Sequence, residues 1–152
     1  MGGNAVTLAA ERLVGVWTFA EWTIARNGQI ARPFQPDPDG LLIYTADGIM
    51  SATIFAGGRK PFASADIRKQ PDADKAAAFD SYFHYAGTWH IDGETVVHRV
   101  TMALNPNLVG TTQVRTAAFA GDRLTLGVEE PLEGGRGSRL HRLTWRRFRA
   151  AS

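Results

Sequence analysis

Apolar residues recur along the chain in short alternating or continuous runs separated by turn residues, the pattern of antiparallel strands joined to their sequence neighbours. Residues 15–24 predict the first strand. Asn27-Gly28 behind it is a two-residue hairpin signal, because both types accept the left-handed backbone that such a turn demands. Residues 32–40 follow, where Pro33, Pro36 and Pro38 each lack a ladder N–H. Segments 41–46 and 49–55 flank Asp47-Gly48, segments 87–91 and 94–104 flank Asp92-Gly93, and segments 110–119 and 123–128 surround Gly121-Asp122. Residues 138–148 close the series, giving about nine strands. One helix interrupts them: residues 73–85 place Phe79, Tyr82 and Phe83 on one helical face, with Asp72 or Asp74 as cap. That face is expected to plug one end of the assembly. Residues 56–71, rich in Gly, Pro and charge, are too long for a turn and read as a mobile flap or an ordered lid.

A long meander with a single helix closes on itself most economically, because closure removes the exposed edges. The expected fold is therefore all-β: a single antiparallel up-and-down β-barrel of about eight to ten strands with one short helix, wide enough for one small ligand. The barrel domain is expected over residues 13–149, with tails at 1–12 and 150–152.

Composition narrows the function classes. The 152 residues carry no cysteine, which excludes disulfides, thiolate chemistry and cysteine-ligated metals. Seventeen basic residues against fifteen acidic ones are no nucleic-acid footprint. No apolar run approaches the roughly 18 residues that span a bilayer, and Glu11 and Arg12 interrupt the N-terminal segment before a signal core forms. The expectation is a cytoplasmic protein that binds neither nucleic acid nor membrane. A homodimer through exposed strand faces is compatible with the sequence, although no residue argues for it.

Several motifs then point in one direction. Gly15-Val16-Trp17 matches the Gly-x-Trp signature of lipocalins, and Leu13-Val14 precedes it. Further matching stretches are Arg32-Pro33-Phe34, residues 40–52, Tyr85-Ala86-Gly87-Thr88-Trp89, Asn105-Pro106-Asn107-Leu108-Val109-Gly110-Thr111, Gln113 with Arg115, and Gly121-Asp122-Arg123-Leu124. With these segments the chain resembles the bacterial lipocalin-like domain family from about residue 13 to residue 147. The resemblance implies a calycin-type barrel with a central pocket. It also implies that the Gly-x-Trp tryptophan packs at the closed end under an arginine of the last strand. Arg147 is the expected structural partner of Trp17 by cation–π stacking, and Arg146 is the rival if the register differs by one.

Strand period selects the chemistry inside. Val96, His98, Val100, Met102 and Leu104 form the apolar face of their strand, which points His98 and Met102 into the barrel. There His98 is a satisfied core histidine, the pocket's polar handle or a catalytic base. The pattern leaves open which side of 112–119 faces in, and the family pattern favours Gln113 and Arg115. A buried guanidinium needs a partner, so an inward Arg115 requires a carboxylate or an anionic ligand group close by. Glu21 shares a face with Trp17 and Phe19. If Trp17 is inward, Glu21 becomes a counter-ion for Arg115 or His98 and a candidate acid–base group; a bulge would instead turn it to water. Tyr44, Tyr85 and Trp89 are candidate wall residues. His84, His90 and His141 lack metal-ligand spacing, so no metal and no cofactor is expected. An inward His98 or His141 would suit a haem iron, but nothing else supports haem.

Three functions compete for such a barrel. It is a carrier or sensor for a small apolar or aromatic molecule, with His98, Arg115 and Glu21 fixing its orientation. It is alternatively a cofactor-independent isomerase, cyclase or dehydratase with His98 or Glu21 moving protons. Or it is a structural or dimerising domain with a filled core.

Overall fold

The first strand binds the whole sheet together, since it pairs on both sides and so joins the last strand to the second of the ring. A computed structural model describes residues 8–149. The strands are β1 (Gly15–Arg26), β2 (Gln29–Ala31), β3 (Asp39–Tyr44), β4 (Ile49–Phe55), β5 (Tyr82–Asp92), β6 (Thr95–Ala103), β7 (Thr112–Ala120), β8 (Arg123–Pro131) and β9 (Ser138–Arg147). They form one antiparallel sheet in the order β2-β1-β3-β4-β5-β6-β7-β8-β9, and the additional β1–β9 pairing closes it. β2 pairs only with residues 24–26 of β1, across the Asn27-Gly28 turn. The closed ring is therefore the eight strands β1 and β3 to β9.

Two helices attach to the ring. The turn α1 (Ala10–Leu13) precedes β1 and buries Leu13, while Leu8 N–H donates to Gly93 O. Leu8 thus reaches the β5–β6 turn, and Leu13 packs into the core where the barrel begins. The helix α2 (Asp72–Asp80) is shorter than the 73–85 expected. Tyr82 and Phe83 belong to β5, so the aromatic triplet shares no helical face, and Phe79 is exposed. Helical and strand spacing both bring 79 and 83 into line with an apolar stripe, and the β pairing of Tyr82 with Phe55 decided the contest. α2 buries no residue and plugs nothing. Pro71 occupies its N-cap position, Asp72 and Asp74 lie in the first turn, and no side chain caps it. Within residues 56–71 lie a 3-10 turn (Ile67–Lys69) and Gln70, whose buried amide donates to Ser64 O and Asp66 O.

At the closed end the expected tryptophan–arginine stack is present. Trp17 is buried and donates from Nε1 to Leu13 O at 2.9 Å. The Arg147 guanidinium lies 4.1 Å from the Trp17 ring centre. It also donates to Val14 O at 3.1 Å and to Arg12 O. One side chain thus ties the last strand to the entrance of the first. Gly15 makes room for it, because a Cβ there would meet Arg147 Nη1 at 2.9 Å. Arg147→Ala is expected to lower stability by about 2 kcal/mol in urea titration, and Arg147→Lys to recover less than half of that, since lysine keeps the charge and loses the fork.

Two bulges break the alternation. In β1 the register with β9 shifts between Phe19 and Glu21. Before the shift Trp17 and Phe19 face in, and after it Trp22 does. In β6 the register with β5 places Val100 opposite Gly87 and Met102 opposite Ala86, which leaves Thr101 as the extra residue. Strands approach so closely there that a Cβ on Gly87 would lie 1.8 Å from Arg99 O.

Candidate functional site

The barrel is not filled. A cavity of about 440 Å³ occupies the half away from Trp17 and Arg147, within the range of small-molecule pockets. Its walls are largely apolar: Leu42 of β3, Ala52 and Ile54 of β4, Leu126 and Val128 of β8, and Leu143 and Trp145 of β9. Trp22, Phe83 and Leu108 line it where the barrel opens, and Phe34 from the β2–β3 loop packs edge-on against Trp22 at 5.7 Å. Glu129, Glu130 and Pro131 stand at the rim. None of residues 56–71 lines the cavity.

At the floor lies a hydrogen-bonded trio. His98 is 1% exposed; its Nε2 meets Tyr44 Oη at 2.7 Å and its Nδ1 meets Tyr85 Oη at 2.6 Å. Burial, followed by the nearby Arg115 charge, pushes the His98 pKa down to about 3. The imidazole is therefore neutral, with one donor and one acceptor nitrogen. Burial likewise raises both tyrosine pKa values, so both phenols keep their protons. Tyr44 is sealed in the core, whereas Tyr85 lines the cavity. The tautomer protonated on Nδ1 lets Tyr44 donate to Nε2 and Tyr85 accept from Nδ1–H, leaving the Tyr85 hydroxyl free to donate into the cavity. The reverse tautomer would strand the Tyr44 proton in an apolar floor, at the usual cost of about 1–3 kcal/mol. The trio acts as a chain of donors that ends at Tyr85.

Arg115 and Gln113 also face in, since Gln113, Arg115, Ala117 and Phe119 are the half-buried positions of β7. Register places Gln113 opposite His98 and Arg115 opposite Val96. Arg115 donates to Gln113 Oε1 at 3.2 Å and to Val114 O at 3.0 Å, and Gln113 Nε2 donates to Thr111 Oγ1 at 2.9 Å. The carboxylate that an inward arginine would want is missing: the ion pairs among the described residues do not include Arg115. At the rim, Trp22 Nε1 donates to His141 Nδ1 at 3.3 Å, and His141 Nε2–H donates to Glu130 at 2.7 Å.

Of the residues singled out by sequence, His98, Tyr85, Gln113 and Arg115 thus meet around one cavity. Four do not line it. Glu21 is turned outward by the β1 bulge and faces Arg32 at 3.7 Å across half-exposed side chains, so it touches neither His98 nor Arg115. Met102 is turned outward by the β6 bulge and is 57% exposed. Tyr44 and Trp89 lie beneath the cavity, edge to face at 5.1 Å, with Trp89 Nε1 donating to Thr45 O at 3.0 Å. Trp22 was missed for the same reason that Glu21 was included, because both depend on the bulge. Trp145, Leu143 and His141 were legible as the inward alternation of β9, had Arg147 been used to set its phase. Among the described residues no cluster of three or more histidine or acidic side chains is placed to hold a metal ion. No described helix is long and apolar enough to cross a membrane.

A Glu21→Gln variant should leave ligand affinity unchanged and stability within about 0.5 kcal/mol of the parent, as expected for an exposed pair. Parallel calorimetric and denaturant titrations check both.

A closed antiparallel barrel with a Trp–Arg latch at one end and an apolar pocket at the other defines a lipocalin-type protein. The chain belongs to the lipocalin-like domain family, whose sequence profile matches residues 14–148. It is also similar to the 4'-hydroxy-3'-methoxypropiophenone carrier protein of Aspergillus oryzae, with 29% identity over 107 residues that cover 65% of this chain and 96% of the relative. Fold and kinship together support binding of a small molecule.

Proposed function

We propose that this chain is a carrier or sensor that holds one apolar or aromatic small molecule inside the barrel. The observation that carries the reading is the cavity of about 440 Å³, walled by apolar and aromatic side chains with a few polar groups on one side. The relative's name fits: an aryl ketone is planar, mostly apolar, and bears a carbonyl oxygen that the Tyr85 hydroxyl suits as donor. Binding is favoured over an isomerase, cyclase or dehydratase because both His98 nitrogens are already engaged by tyrosines. A general base needs a free lone pair within reach of the substrate proton.

The test is thermal unfolding with and without 4'-hydroxy-3'-methoxypropiophenone, followed by chromatography of the recovered compound. A ligand at 100 times its Kd stabilises by about 2.7 kcal/mol, which for a domain of this size raises Tm by about 5–10 °C. The compound should return unaltered. Its conversion to another species would overturn the carrier reading in favour of an enzyme.

A further inference from the structure

Two polar groups along this cavity keep hydrogen-bond donors that the protein does not use. Arg115 has five N–H donors, of which one is given to Gln113 Oε1 and one to Val114 O. Its other N–H groups find no partner among the described residues. Trp145 lines the same cavity with its ring, while its Nε1–H is closed off from it and has no hydrogen-bond partner among the described residues. Tyr85 keeps its hydroxyl proton for the cavity in the tautomer argued above. The acceptors nearby are turned to other partners: Gln113 Oε1 to Arg115, Glu130 to His141 and Arg139, and Glu129 to Ser138, and none of the carboxylates pairs with Arg115.

Unused donors beside an unpaired charge call for a ligand that brings acceptors and the opposite charge. Resting on the binding reading above, we propose that the ligand is an apolar or aromatic carboxylic acid, bound as its carboxylate on Arg115. A guanidinium fork matches a carboxylate in geometry and charge, and the match is strongest where water is scarce. Gln113 is a positioning residue: it holds one arm of the fork and is itself held by Thr111. The apolar walls from Leu126 to Trp145 take the body of the acid.

Calorimetry at pH 7.5 with matched pairs tests this: benzoate, 2-naphthoate and biphenyl-4-carboxylate, each against its primary amide. The amide keeps shape and an acceptor oxygen and loses only the charge. At least one acid should bind tenfold or more tighter than its amide. Arg115→Met should remove that preference by weakening the acid while the amide stays within about threefold, and Arg115→Lys should retain part of it. Equal affinity of acids and amides for the parent protein would overturn the carboxylate assignment and leave the binding reading standing. So would an Arg115→Met variant that weakens both alike. If no acid and no amide binds, the carboxylate assignment falls, and the binding reading is decided by the titration with 4'-hydroxy-3'-methoxypropiophenone. Should Arg115→Met not fold, the parent's ratio and the lysine variant still decide.

Discussion

Replacing His98 with alanine is expected to cost about 4 kcal/mol, measured by urea unfolding at pH 7. Two costs add. The imidazole leaves a hole in a packed floor, as large-to-small core substitutions do. It also orphans the hydroxyls of Tyr44 and Tyr85, whose side-chain partner is His98, at about 1–3 kcal/mol each. The same residue gives the protein an acid limit. The native state refuses a proton at His98 until about pH 3, whereas an unfolded histidine accepts one near pH 6.5. Between those values the unfolded chain binds more protons, so stability falls as the pH is lowered through that window. At pH 5 the loss from this group is about 2 kcal/mol. His98→Ala abolishes the contribution, so the stability gap between parent and variant should narrow by about that amount from pH 7 to pH 5. A gap independent of pH would show that the imidazole is not held neutral.

Ala52→Phe should abolish ligand binding while the barrel stays folded. Ala52 faces inward on β4, paired with Leu42 on one side and Tyr85 on the other. Its methyl borders open space, so the added ring occupies the volume a ligand needs rather than the backbone of a neighbour. Affinity is expected to drop at least 100-fold, about 2.7 kcal/mol. Stability should change by less than about 1.5 kcal/mol, because the ring buries apolar area in a void instead of overpacking a filled core. A variant that binds as the parent does would place the ligand elsewhere.

The barrel was legible in the sequence because each hairpin carries its own local signal. Asn27-Gly28, Asp47-Gly48, Asp92-Gly93 and Gly121-Asp122 all fall at strand reversals, with the glycines at positive φ. Closure followed from the economy of edges, and the Trp17–Arg147 stack followed from the family motif. The boundary between α2 and β5 was not legible, since a run of alanines favours helix while the pairing partner that claims Tyr82 lies on another strand. The site was legible wherever a strand keeps its period. His98 was placed inside by alternation alone, whereas Tyr85, read at the end of the helix, was named only as a candidate wall residue. Glu21 and Met102 were lost, and Trp22 was missed, because one extra residue in β1 and one in β6 reverse the facing of everything beyond them. A bulge is a property of two strands' register, and alternation within either strand carries no mark of it.

The central claim is that the barrel's interior, and no outer surface, receives a small molecule. An amide- and methyl-resolved NMR titration with biphenyl-4-carboxylate, 2-naphthoate and their amides addresses it directly. Saturable shifts are expected at Ala52, Tyr85, His98, Leu126 and Leu143, with little change at the outward-facing Leu41 and Ile49. Shifts confined to those exposed positions, or none with any compound, would contradict it.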